Sequence, residues 1–232
     1  MNAMKGLKDM FGKAKKTTGT RNGGGLLRFA PAATAIAGGA LLAAFPLLRP
    51  WGDKTGVAAE MADAFASPMW VAAHGAGMLG FLALAAAALA QGRGGARWWL
   101  AGGTALILPF FGAETFGLHG IAANAGPDVV AAAAEAVRGG AVQTTQFGIG
   151  LLSIAVGGVL LARRDRAASV LAFALATYLP QFFFGPEVRI AHGLVLLAGA
   201  AWWATSLTRD AQPGDVAARV LNGRPVASGA LA

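Results

Sequence analysis

Hydrophobic positions along the chain fall into six long blocks separated by short polar stretches. The blocks are Phe29–Leu48, Trp70–Ala90, Trp98–Leu118, Val142–Leu161, Ala167–Phe184 and Ile190–Leu207. Most approach the ~20 residues that an α-helix needs to cross a hydrocarbon core. The last two are shorter, and Gly185–Arg189 between them reads as a tight hairpin. The pattern predicts an all-α membrane domain of six spans over residues 26–208. A basic segment (1–25) precedes it and a polar tail (209–232) follows.

Two of the connecting stretches carry helix signals of their own. Pro127–Arg138 opens on proline and stops at Gly139-Gly140, which are start and stop signals. Thr55–Ala66 is similar and ends before Pro68. Both read as short helices, either covering one face of the domain or lying as ordinary amphipathic loops. Near the N-terminus, Met4, Leu7, Phe11 and Ala14 recur at helical spacing among lysines. They describe a helix on an anionic lipid surface or an unstructured basic tail. The basic region is too long and the first block too full for a cleaved leader. Thr17–Gly25 reads as a flexible link, and the tail as disordered.

Charge supplies the orientation. Fifteen of the 19 lysines and arginines fall before the first block, in the second and fourth connections and in the tail. The opposite side holds Arg49, Lys54, Arg138 and Arg189. The excess of positive residues on the inner side places both termini in the cytoplasm, and an odd number of spans would break the alternation. All six tryptophans fall at block ends: Trp51 and Trp70 outside, Trp98, Trp99, Trp202 and Trp203 inside, as expected for interfacial rings. The net charge of +8 therefore belongs to topology rather than to nucleic-acid binding. Composition agrees: 56% of residues are hydrophobic and 13% charged, about half the charge of a soluble domain. The Ala- and Gly-rich style suits a bacterial cytoplasmic membrane, and the glycines at Gly38-Gly39, Gly77/Gly80 and Gly157-Gly158 suit close helix packing. There is no cysteine, which excludes disulfides, thiolate metal sites and cysteine nucleophiles. No phosphate-binding loop, serine nucleophile motif or dinucleotide fingerprint is present.

Ionisable residues in the spans are few. His74, His119 and His192 all fall near the outer ends of their blocks, and Glu114 is the one carboxylate inside a block. Such a group is costly in a bilayer and needs a partner; the sequence offers the histidines, a metal, or Arg189. Gly112-Ala-Glu114-Thr-Phe-Gly-Leu-His119-Gly120 matches Gly185-Pro-Glu187-Val-Arg-Ile-Ala-His192-Gly193 as G-x-E-x4-H-G, which suggests an internal repeat. On a regular helix Glu114 and His119 lie roughly 140° apart, so they share a face only if the helix loosens near Gly117. Gln143, Thr144, Thr145, Gln146, Tyr178 and Gln181 add polar groups near the same face.

Three functional readings follow. His74, His119, His192 and Glu114 could hold a divalent metal for redox or hydrolytic chemistry, with Glu114 catalytic, although no compact ligand motif is present. His74 and His192 could flank a haem b. Glu114 and the histidines could relay protons for a small-solute transporter; the lack of ionisable residues in the inner halves weighs against a full transport path. Against these stands a purely structural role, including that of a subunit in a larger membrane complex.

Overall fold

The computed structural model describes residues 23–92 and 94–210. Among them the chain is helical with short turns and contains no strand. The lysine-rich surface helix expected at Met4–Ala14 and the tail beyond Asp210 lie outside the described residues.

Nine α-helices are described: α1 (Gly23–Leu48), α2 (Ala58–Ala66), α3 (Pro68–Ala90), α4 (Ala96–Gly112), α5 (Leu118–Ala122), α6 (Pro127–Gly139), α7 (Ala141–Ala162), α8 (Ser169–Ala176) and α9 (Pro186–Asp210). Five helices are long and apolar enough to cross a membrane: Phe29–Leu48, Pro68–Ala90, Ala96–Ala122, Ala141–Ala162 and Pro186–Arg209. Large apolar side chains such as Phe116, Val142 and Phe173 face outward, which suits contact with lipid. The fifth expected block is not one helix. It comprises a single 3-10 turn at Arg166–Ala168, the short α8, and a second 3-10 turn at Pro180–Phe183. Pro180 has no N–H to give the Ala176 carbonyl and its ring crowds that carbonyl, so the helix ends at Ala176.

The apolar helices neighbour one another in chain order, and the last closes on the first. α1 packs between α9 and α3, α4 packs on α3 and α7, and α8 lies against α7 and α9. Small residues permit these contacts. A Cβ on Gly80 would lie 3.0 Å from the Gly38 carbonyl, where α3 crosses α1. A Cβ on Gly103 would lie 2.6 Å from the Gly150 carbonyl, where α4 crosses α7. Backbone-to-backbone approach of this kind is how apolar helices associate when lipid removes the hydrophobic drive.

At one end of the bundle α2 and α6 fold over as a cover. Phe65, Trp70, Leu118, Val130 and Ala134 form a separate small core there. Ser67 caps α3, its Oγ accepting from the Met69 N–H at 3.2 Å, with Pro68 at the first helical position. Beneath the cover Phe45, Phe81, Phe111, Phe147, Tyr178 and Phe182 meet edge to face or tilted, with successive centroids 4.9–6.1 Å apart. They make an aromatic floor. The tryptophans depart from a simple interfacial belt: Trp98, Trp99 and Trp202 are exposed, but Trp70 and Trp203 are fully buried.

Candidate functional site

Glu114 sits where the third long helix changes pitch. Pro109 interrupts the hydrogen-bond ladder, and Ala113–Gly117 form one π-turn before α5. The Leu118 N–H bonds five residues back, to the Ala113 carbonyl. The Glu114 carbonyl accepts instead from Trp70 Nε1–H on α3, at 2.7 Å. The helix therefore does loosen next to Gly117, but the loosening docks Glu114 onto α3 rather than swinging it to His119.

Glu114 is 6% exposed, and the main partner of its carboxylate comes from the cover. Arg138, in the last turn of α6, donates Nε–H to Oε1 at 2.6 Å and Nη2–H to Oε2 at 3.0 Å. This two-pronged geometry matches the flat guanidinium to the flat carboxylate. Arg138 Nη2 also donates to Asp53 Oδ2 at 2.9 Å, and the same oxygen accepts from Arg49 Nη2 at 2.5 Å. Burial alone would lower the Arg138 pKa, but the Glu114 hydrogen bond and both carboxylate charges hold it above its ordinary value. Burial alone would raise Asp53; Arg49 and Arg138 overcome that and hold its carboxyl below the ordinary range.

Aromatic rings wall the cations. Arg49 lies 4.9 Å from the ring centroids of both Trp51 and Trp70, and Arg138 lies 5.2 Å from Phe65. The electron-rich faces offset part of the cost of removing guanidinium from water.

His74 completes the cluster. It is 2% exposed, one turn after Trp70 on α3. Its Nδ1 lies 2.9 Å from the Trp70 carbonyl. A carbonyl can only accept, so Nδ1 carries a proton. Nε2 then faces Glu114 Oε2 across 4.0 Å. In a neutral ring Nε2 is an acceptor, and an ionised carboxylate is an acceptor too. The pair therefore has room for one more proton, on either partner.

The other two histidines are employed elsewhere. His119 Nδ1–H donates to the Phe65 carbonyl at 2.7 Å and fastens the end of α2 to the third span. His192 Nε2–H donates to the Ala174 carbonyl at 2.9 Å, with Thr177 Oγ1 at 3.2 Å. Among the described residues no three His, Asp or Glu side chains gather as metal ligands. The proposed quartet of His74, His119, His192 and Glu114 is thus not assembled, because helix rotation sends three histidines at one depth to three different neighbours. His74 and His192 are also tied to separate backbone partners, the Trp70 and Ala174 carbonyls. Phe45 packs against His74 at 4.9 Å and lines the small cavity beside His192. The two copies of G-x-E-x4-H-G also differ: Glu114 is buried in a π-turn, whereas Glu187 is exposed in the first turn of α9.

Arg138, Asp53 and Arg49 are the members of the site that sequence reasoning assigned no role. Their signal was charge close to span ends, with Arg138 closing a predicted cover helix. Arg189, the expected rival partner of Glu114, instead donates to Gln181 Oε1 at 3.2 Å. Comparison of the chain with protein-family models, with curated proteins and with solved structures finds no match.

Proposed function

We propose that this chain is a proton-linked membrane protein that handles a small solute at the outer face, in the manner of a transporter or solute receptor. The proposed topology is six crossings of a bacterial cytoplasmic membrane with both termini inside, α8 and its flanking turns making the short fifth crossing. Reporter fusions after Gly95, Arg164 and Arg209 are then cytoplasmic, and those near Gly56 and Gly126 exterior.

The observation that carries the functional reading is the pairing of His74 with Glu114 directly behind the Arg138 fork. In the closed state Glu114 is ionised and clamped by the cover. A proton entering the His74–Glu114 pair and settling on the carboxyl removes one of the two charges that hold Arg138, and the cover helix loses its fork to the third long helix while Asp53 still holds it. The proton sits on Glu114 Oε2, where His74 Nε2 can accept a hydrogen bond from it. Opening admits solute to a chamber lined by Trp51, Trp70 and Phe65, with Asp53, Arg49 and Arg138 as charged contacts. Closure returns the proton to the exterior. The aromatic floor keeps this exchange at the outer end, so passage further inward requires a second rearrangement below it.

Infrared difference spectra of the purified protein in lipid nanodiscs, taken between neutral and acid pH, test this reading. A protonated-carboxyl band should appear on acidification and vanish in Glu114→Gln. A spectrum whose carboxyl bands are the same in Glu114→Gln would sink the proposal.

A further inference from the structure

Arg189 has a different claim to function. It lies in α9, is 2% exposed, and stands beyond the Arg138 fork. Its Nε–H goes to Gln181 Oε1, and its guanidinium lies 5.0 Å from the Trp51 ring centroid and 4.7 Å from that of Phe182. Its Nη1 is buried and has no acceptor among the described residues. A guanidinium does not shed its proton to escape burial, so this nitrogen needs an acceptor and the charge needs a counterion.

The neighbouring carboxylates bond to other arginines, and although Asp53 Oδ1 has no donor among the described residues, it makes no hydrogen bond to Arg189. Asp53 accepts from Arg49 and Arg138, and Glu114 accepts from Arg138. Three buried or half-buried guanidinium groups thus face two carboxylates. His192 spends its Nε2–H on the Ala174 carbonyl and adds no negative charge. Next to Arg189 is a small cavity, lined also by Tyr178, Gln181, His192 and Phe45, with about 10 Å³ of water-accessible space. That is at the threshold for one water-sized occupant. That space favours a single monatomic occupant over a phosphate headgroup or an organic acid.

We propose that Arg189 and Gln181 form a binding site for a single small inorganic anion of the size of chloride, seated in this cavity. The site is independent of the proton-linked reading of Glu114. The anion supplies the missing negative charge and the acceptor for Nη1, in a cavity that Tyr178 and Gln181 also line.

The test is equilibrium binding of radiolabelled chloride to the purified full-length chain in detergent, with gluconate holding ionic strength constant. The expected result is saturable binding approaching one chloride per chain, displaced by bromide and not by phosphate. Arg189→Gln abolishes it. Arg189→Lys keeps the charge but loses the planar fork, and weakens it by about tenfold. Absence of saturable binding in the unmodified protein overturns the proposal, whatever the variants do. So does binding that persists undiminished in a folded Arg189→Gln protein, or competition by phosphate as effective as that by bromide.

Discussion

Arg138 of the cover helix forks onto Glu114 inside the third long helix, with two hydrogen bonds of 2.6 and 3.0 Å. This pair joins the cover to the membrane domain, and it answers the problem of a carboxylate in a span by bringing a cation down to it. Removing either partner alone leaves a largely buried charge.

Arg138→Gln should therefore lower stability by about 3–5 kcal/mol, the usual cost of orphaning one member of a buried pair. Glu114→Gln should cost less, since Arg138 retains Asp53 and some contact with water. The double variant should recover about 0.5–3 kcal/mol relative to the sum of the two singles. Denaturant unfolding in detergent checks this; simple additivity would mean that the pair is not coupled.

Asp53 gives a pH dependence whose direction follows from its surroundings. Arg49 and Arg138 hold its native pKa below the unfolded value of ~3.9. Below that value the unfolded chain binds more protons than the native one. The contribution of Asp53 is thus complete above pH ~3.9 and is lost as pH falls through the native pKa. Melting temperature followed from neutral to acid pH should drop over this range in the unmodified protein. Asp53→Asn should start lower at neutral pH and drop less steeply.

Much of this arrangement is written in the sequence, and the missing parts have physical causes. Hydropathy blocks locate the long helices because a bilayer demands continuous apolar length. They misjudge the fifth block because hydropathy does not register the break that Pro180 imposes near Thr177–Leu179. The depth of His74 and Glu114 is legible, and the two do approach to 4.0 Å. The depth of His119 and His192 is equally legible, yet rotation about each helix axis turns them to the Phe65 and Ala174 carbonyls. Arg138 is visible as the end of a cover helix, but the fold-back that carries it to Glu114 depends on the apolar faces of α2 and α6 meeting over Trp70 and Leu118.

Adjacent glycines on α4 should respond with opposite signs. Gly103 faces the Gly150 carbonyl, so Gly103→Ala forces α4 and α7 apart and should cost about 1–3 kcal/mol. Gly102 is exposed and a Cβ there meets nothing within 4 Å. Gly102→Ala should be neutral or stabilising by up to about 1 kcal/mol, because alanine favours the helix. Thermal unfolding of the two variants side by side decides it; equal effects would refute this account of the α4–α7 crossing.

The absence of cysteine makes the central claim, that protonation at Glu114 loosens the cover, directly measurable. Ala134 lies on α6, 2% exposed against the small core of the cover. A single Ala134→Cys variant, probed from outside with a membrane-impermeant maleimide, should be protected at neutral pH and become labelled as pH falls. Labelling rates are corrected for thiol ionisation with a separate Ala123→Cys variant, whose position is exposed in the turn after α5. Adding Glu114→Gln to Ala134→Cys should raise labelling at neutral pH and flatten its dependence on acid. Protection that is unchanged by acid and by Glu114→Gln would contradict the account.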